Sequence, residues 1–143
     1  PGFPRPGVAG HGGSAVLGRI GGVPVALLQG RAHVYEGGDL DAIRVPPRAL
    51  RAAGAEILVL TNAAGSLRRE NGPGSLMLIS DHLNLTGRNP LYGQNVDELG
   101  PRFADMTDVW TPALRSRLRA AADAEAAAKQ AQADVEEIKQ SVQ

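Results

Sequence analysis

Four chemically active side chains lie within one short stretch, residues 29–37, which reads QGRAHVYEG. The stretch follows the apolar run 23–28, which is typical of a β-strand. Open α/β sheets present ligand-binding residues at the carboxyl ends of their strands in this way. Because the Arg31 guanidinium is a planar fork of donors that suits phosphate or carboxylate oxygens, the stretch predicts an anion site at the end of a strand.

Two further segments could line the same site. His11 lies in the glycine-rich loop 8–13, and a loop of small side chains, residues 62–65, follows the apolar run 56–61. Small side chains leave backbone N–H groups accessible, and such amides can cradle an anion. Charge-assisted hydrogen bonds from Arg31 would add roughly 1.5–3 kcal/mol each. Together the three segments predict an oxyanion site, most simply for inorganic phosphate.

Each of these residues also has a structural interpretation. Arg31 could form a surface salt bridge, His11 could belong to a turn, and Tyr35 could be half-buried with its hydroxyl paired. His82, in a predicted strand, is interpreted as a hydrogen-bonded structural histidine, and Phe103 as a packing residue. No spacing matches a hydrolase nucleophile elbow or a P-loop. The order of the three segments along the chain, rather than any single residue, therefore carries the site prediction.

Alternating strands and helices predict an α/β domain that would position these segments. The predicted strands cover residues 14–20, 23–29, 56–61 and 75–80. Glycines 21 and 22 predict a hairpin between the first two strands. The predicted helices are 39–53, which Pro46-Pro47 should break or kink and Gly54 should end, and a final one that opens at Thr111-Pro112. Residues 86–106 are predicted to be a long polar loop.

Composition separates a body from a tail. All 13 arginines lie at or before Arg119, whereas the following residues are rich in Ala, Gln, Glu and Lys. We therefore predict a domain over 1–119 and a helical tail over 120–143. The first residue is Pro1 rather than Met, which predicts that the chain starts inside a longer gene product.

Bulk properties exclude several classes of protein. The formal net charge of zero gives no nucleic-acid signal, and the absence of cysteine excludes a disulfide scaffold or a thiolate zinc site. No apolar run approaches the roughly 20 residues of a membrane helix. We therefore expect a cytoplasmic protein with neither nucleic acid nor a membrane as a partner.

Taken in order, the motifs of residues 1–119 resemble the middle of a trimeric (low-molecular-mass) purine nucleoside phosphorylase. The matching segments are GFP (2–4), VAGHGG (8–13), QGRAHVYEG (29–37), LTNAAG (60–65), DHLNL (81–85), NPL (89–91), GPRF (100–103) and DMTD (105–108). Beyond about Glu125 the resemblance ends. It implies a phosphorylase/hydrolase-like mixed β-sheet flanked by helices, incomplete in this chain, and a homotrimer.

The family comprises glycosyltransferases of purine salvage, which transfer the pentose of a purine nucleoside to phosphate without a metal or organic cofactor. By resemblance, the phosphate-binding residues are His11, Arg31, Ala32, His33 and the backbone amide of Ala63, with His33 as the catalytic residue. Tyr35 should contact the ribose, and Phe103 should cover the sugar in a neighbouring subunit. The residues that should lie against the purine are Ala63, Ala64 and Gly65.

Two segments of the family have no counterpart in the sequence: a Gly/Ser-rich phosphate loop upstream, and a downstream Glu and Asn that grip the purine and help protonate the leaving base. Weak or absent activity is therefore expected of this chain alone. A non-catalytic remnant that binds phosphate or family subunits is one alternative. A 5′-methylthioadenosine phosphorylase is another, but that branch usually has Thr and Cys where Asn62 and Ala64 stand. The purine-nucleoside branch is therefore favoured.

Overall fold

The computed structural model describes residues 3–9, 11–37 and 39–141. They belong to two units, one of residues 1–64 and 87–94, the other of residues 65–86 and 95–143. The predicted division at residues 119–120 differs from this one and stays a prediction. Helix α2 (Pro112–Ser141) runs through that position without interruption.

A β-hairpin organises the first unit. Strand β1 (Ala15–Ile20) pairs antiparallel with strand β2 (Val23–Leu28). Gly21 and Gly22 connect the two strands with φ angles of 55° and 81°. Two consecutive residues with positive φ are typical of a type I′ turn, whose twist matches that of the flanking strands. The predicted hairpin is confirmed.

The first predicted helix is confirmed as α1 (Leu40–Ala52). It continues through Pro46 and Pro47, so they do not break the helix, and the alternative that they kink it stays a prediction. A proline removes one N–H donor, but its fixed φ is already close to the helical value, which allows the neighbouring turns to continue.

Helix α1 ends before Gly54, as the sequence predicts. Gly54 has a φ of 96°, and its N–H donates to the carbonyl of Arg51 at 3.0 Å. The N–H of Ala55 donates to the carbonyl of Leu50 at 2.9 Å. This pair of hydrogen bonds is the Schellman motif, which satisfies carbonyls that the last helical turn leaves unpaired.

Helix α2 is the main element of the second unit, and it begins at Pro112 as predicted. Its 30 residues span about 45 Å at 1.5 Å per residue. Just before it, the Trp110 indole Nε1 donates to His82 Nδ1 at 2.8 Å. This contact confirms the interpretation of His82 as a hydrogen-bonded histidine.

The strands predicted over 56–61 and 75–80 are wrong, because the structure assigns neither helix nor strand to these residues. A strand exists only when a neighbour takes its backbone hydrogen bonds, and the hairpin is the one sheet within the described part of the chain. The apolar side chains from Ile57 to Leu60 are 55–67% exposed. The two-stranded sheet and two helices agree with an incomplete α/β domain.

No side chain is buried among the residues that the structure describes. No helix in that same part of the chain is both long and apolar enough to cross a bilayer. The chain therefore lacks, within its described residues, the shared core that makes unfolding cooperative.

We expect the isolated chain to melt gradually, because local helices and a hairpin without a common core lose their structure independently. Differential scanning calorimetry, with circular dichroism at 222 nm as a second probe, measures this. A globular domain of this length absorbs about 0.7 kcal/mol per residue near 60 °C. A single sharp peak of that size would contradict the expectation.

Candidate functional site

The hairpin continues beyond its strands and joins two of the loops that carry the predicted site. The N–H of Gln29 donates to the carbonyl of Ser14 at 2.8 Å, and the N–H of Gly13 donates to the carbonyl of Gln29 at 2.9 Å. Two residues opposite one are typical of a β-bulge, which bends a strand and redirects its side chains. The loop that contains His11 is thereby brought against the loop that contains Arg31.

The His11 ring lies against the backbone of residues 30 and 31. Its Nδ1 is 3.1 Å from the carbonyl oxygen of Arg31 and 3.4 Å from the nitrogen of Arg31. It accepts from the N–H when it is unprotonated and donates to the carbonyl when it is protonated. A Cβ on Gly30, whose φ is +88°, would lie 2.5 Å from the His11 Cβ. Only glycine fits this close approach.

Three predicted site residues form a row of stacked rings. The centroids of His11 and His33 are 5.2 Å apart with an interplanar angle of 29°. Those of His33 and Tyr35 are 4.8 Å apart at 23°. In the sequence, His11 precedes His33 by 22 residues and Tyr35 by 24. The structure therefore brings the His11 ring to the two rings of the other loop.

Glu36, to which sequence reasoning assigned no role, holds the middle ring. Its Oε1 accepts from both the Nδ1 and the backbone N–H of His33, each at 2.8 Å, and its Oε2 accepts from the N–H of Gly7. An ionised carboxylate can only accept, so it selects the Nδ1–H form of His33 and leaves Nε2 to receive or give a proton. The three-residue spacing, as in a capping box, was a signal that could have found Glu36.

The same contacts lower the pKa of the Glu36 carboxyl. The hydrogen bond from the His33 ring is the largest cause, and the backbone N–H groups of Gly7 and His33 act in the same direction. Partial burial opposes them but does not reverse the direction. Glu36 therefore remains an ionised acceptor well into the acid range.

The Arg31 guanidinium connects the third segment to the other two. Its Nη2 donates to the carbonyl of Thr61 at 2.8 Å, two residues before Ala63. The residue just before the small-residue loop therefore lies beside the loop of His33. The described contacts join the first two predicted segments and bring Thr61, at the start of the third, to Arg31. The roles of Ala63 and Ala64 stay predictions.

The remaining predicted site residues have different placements. Ala32 is half-buried in the loop between Arg31 and His33. Gly65 and Phe103 belong to the second unit, where the Phe103 side chain is 88% exposed. Their proposed purine and ribose contacts stay predictions.

The site is suited to an anion rather than to a cation. A guanidinium and two imidazoles supply donors, whereas the nearby carboxylate is already engaged by His33 and Gly7. Among the described residues, no group of three or more His, Cys, Asp or Glu is arranged to hold a metal. Charge-assisted donors around one loop are the arrangement by which proteins bind oxyanions.

Comparison with known proteins shows the family. The sequence model of the Phosphorylase superfamily matches residues 1–137, past the predicted boundary at Arg119. The chain therefore belongs to the Phosphorylase superfamily, and the family resemblance is confirmed.

Individual relatives have purine nucleoside phosphorylase in their names. The chain is 46% identical over 115 residues to purine nucleoside phosphorylase 1 of Geobacillus stearothermophilus, covering 80% of this chain and 42% of the relative. It is 50% identical over 119 residues to the Mycobacterium tuberculosis purine nucleoside phosphorylase, covering 83% and 42%. For the Mus musculus protein the values are 42% over 120 residues, covering 82% and 42%. The chain thus spans about two fifths of the length of these relatives.

We expect acid to loosen the row of rings through Glu36. Its pKa is lowered in the folded chain, so its stabilisation is complete above the unfolded value of about 4.3 and is lost as the pH falls through the lower folded value. NMR shifts of the His33 and Tyr35 rings, followed below about pH 5, measure this.

Two substitutions sharpen the acid test. Glu36→Gln should abolish the transition and disturb the His33 ring already at neutral pH. Glu70→Gln is the matched control, because Glu70 is an exposed carboxylate 3.7 Å from Arg68 in the other unit. An unchanged His33 signal in Glu36→Gln would show that the carboxylate does not hold the ring.

Proposed function

We propose that the site binds inorganic phosphate and serves the phosphorolysis of purine nucleosides to a free purine base and ribose 1-phosphate. The single observation that carries the proposal is the convergence of His11, Arg31 and His33 in one unit. The names of the relatives support the same reaction. Because the chain spans only about two fifths of those relatives, the reaction is proposed for the protein to which these residues belong.

The chemistry of the reaction explains why such a site is needed. Breaking the bond between the sugar C1′ and the purine nitrogen leaves positive charge on the ribose. A phosphate dianion held beside C1′ stabilises this charge and then forms the new C1′–O bond, while the leaving base takes up a proton. Arg31, His11 and the backbone amides of Ala32 and Ala63 would hold the dianion.

His33 is the proposed catalytic residue. Its Nδ1–H is held by Glu36, so its Nε2 is available to the phosphate, as a donor when the ring is an imidazolium. Tyr35 stacks on His33 and would contact the ribose beside the phosphate. Glu36 acts through His33 and is a positioning residue rather than a catalytic one.

Further parts of the proposal rest on the family resemblance. Phe103 would cover the ribose in a neighbouring subunit, and Ala63, Ala64 and Gly65 would lie against the purine. The protein would act as a cytoplasmic homotrimer with phosphate as co-substrate and no cofactor.

A second candidate is a chain that binds phosphate but does not turn over nucleosides by itself. It is favoured by the absence of any buried side chain among the described residues, since catalysis requires a rigid and water-excluded site.

We expect Arg31→Ala to remove measurable phosphate binding by the 143-residue chain, because the variant loses the guanidinium, a permanent positive charge of the site. Isothermal titration calorimetry with inorganic phosphate measures the affinity. The matched control is Arg68→Ala, which removes an equal charge from an exposed position in the other unit. Equal phosphate affinity in wild type and Arg31→Ala would refute the phosphate site.

We expect the purified chain to release hypoxanthine from inosine at least about 10²–10⁴-fold more slowly than a full-length relative, because it lacks the groups that the resemblance assigns to protonation of the leaving base. Cleavage of 5′-methylthioadenosine should be slower still. A rate on inosine equal to that of a relative would contradict the first expectation. Faster cleavage of 5′-methylthioadenosine would move the chain to the neighbouring branch.

A further inference from the structure

Two consecutive β-turns lie in a loop at the start of the second unit. The first covers residues 68–71, where the N–H of Asn71 donates to the carbonyl of Arg68 at 3.3 Å. The second covers residues 72–75, where the N–H of Ser75 donates to the carbonyl of Gly72 at 3.1 Å. The peptide bond from Asn71 to Gly72 therefore joins the two turns and takes part in the closing hydrogen bond of neither.

The sequence specifies the second of these turns. Pro73 supplies the fixed φ of its second position, and Gly74, with a φ of 86°, supplies the positive φ of its third, as in a type II turn. A residue before proline is also disfavoured in the helical region, so Gly72 is kept out of a helical turn that would use its N–H.

The groups on both sides of this peptide bond are accessible. Asn71 and Gly72 are exposed. Within the part of the chain that the structure describes, no group forms a hydrogen bond with the Asn71 side-chain amide or with the Gly72 N–H. A Cβ built on Gly72 would meet no atom within 4 Å. The Gly72 nitrogen can therefore approach the Asn71 Cγ without breaking a hydrogen bond or displacing another side chain.

We propose that Asn71 is a site of spontaneous deamidation through a cyclic imide. The Gly72 nitrogen attacks the Asn71 Cγ and closes a five-membered ring, while the side-chain nitrogen leaves with the Gly72 amide proton as ammonia. Water then opens the ring at one of its two carbonyls, which yields aspartate or isoaspartate. The reaction consumes one water and releases one ammonia, and it is independent of the proposed phosphorolysis.

Proximity and the missing side chain at position 72 favour this attack. The nucleophile and its target belong to adjacent residues, so the reaction is intramolecular. Asparagine is a labile residue in proteins, and a Cβ on the attacking residue would crowd the ring as it closes. Asn71 is the one asparagine in the sequence that glycine follows.

Two other asparagines provide internal comparisons, because their side chains are engaged. The Oδ1 of Asn84 accepts from the backbone N–H and the hydroxyl of Thr86, at 3.1 and 2.6 Å. The Nδ2 of Asn95 donates to Asp97 Oδ1 and to the carbonyl of Gly100, at 2.6 and 3.2 Å. These bonds hold the amides, and Leu85 and Val96 place a branched side chain on the residue that would attack.

The product would change both the charge and the backbone of the loop. It adds a carboxylate after Arg68, Arg69 and Glu70, and it lowers the formal net charge of the chain from zero by one. The Arg68 Nη1 is 3.7 Å from the Glu70 Oε1, so the new acid would compete for that guanidinium. Isoaspartate also inserts one carbon into the main chain between the two turns.

Peptide mapping by mass spectrometry tests the proposal on the full chain, incubated at mildly alkaline pH. Asn71 should become a mixture of aspartate and isoaspartate, the latter detected by isoaspartyl methyltransferase, whereas Asn84 and Asn95 should remain amides in the same digest. The Gly72 N–H must lose its proton for the attack, so the rate should rise with pH.

Gly72→Ala is the decisive variant. Position 72 has no positive φ and has room for a Cβ, so the variant should keep both turns. Its loss of Asn71 should be about tenfold slower, which corresponds to about 1.4 kcal/mol in the barrier. The matched control is Gly18→Ala, at an equally open position of β1, which should leave the rate unchanged.

Three outcomes would overturn the proposal. One is an intact Asn71 in the full chain after a peptide of residues 66–76 has converted, because the folded chain would then protect the bond. Another is an equal rate in wild type and Gly72→Ala. The third is aspartate without isoaspartate, which would indicate direct hydrolysis of the side-chain amide.

Discussion

The close approach of the His11 ring to the backbone of Gly30 is the contact on which the candidate site depends. It requires a residue without a side chain at position 30, because any Cβ there would overlap His11. The bulge at Gly13 and Ser14 extends the hairpin far enough to create the approach. Without it, the loops before β1 and after β2 would diverge, and the two imidazoles would not share a site.

Glu36 adds a second level of order to this backbone arrangement. Its carboxylate accepts hydrogen bonds from the ring and the backbone N–H of His33 and from the backbone N–H of Gly7. It therefore joins the loop after β2 to the segment before β1. Charge-assisted hydrogen bonds are stronger than neutral ones and survive partial exposure to water. They explain how a site can be ordered in a unit in which none of the described side chains is buried.

One feature of the first unit is left without a counterpart among the described residues. The apolar side chains of residues 57–60 are 55–67% exposed. Their burial would be favourable by roughly 25 cal/mol per Å² of apolar surface, so this segment calls for a neighbouring strand or helix that covers it.

The sequence by itself determined the local structure, the family and the segments of the site. Gly21-Gly22 specified the hairpin turn, Gly54 specified the end of α1, and Thr111-Pro112 specified the start of α2, because backbone dihedral preferences act over a few residues. Residues 56–61 are an apolar run typical of a strand, but the structure has no strand there. Strand formation depends on a neighbouring strand that pairs with the run and not on the run itself.

Only the tertiary structure decided which groups of the site touch. Its contacts join residues that are 3 to 30 positions apart in the sequence. They are the stacking of the His11 and His33 rings, the hydrogen bond from Arg31 to Thr61, and the hydrogen bonds from His33 and Gly7 to Glu36. Spacing in the sequence does not measure such distances when a bulge and a glycine with positive φ redirect the chain. Residue types in the sequence can therefore predict an anion site. The hydrogen bonds within the site follow from the way the hairpin brings its own two ends together.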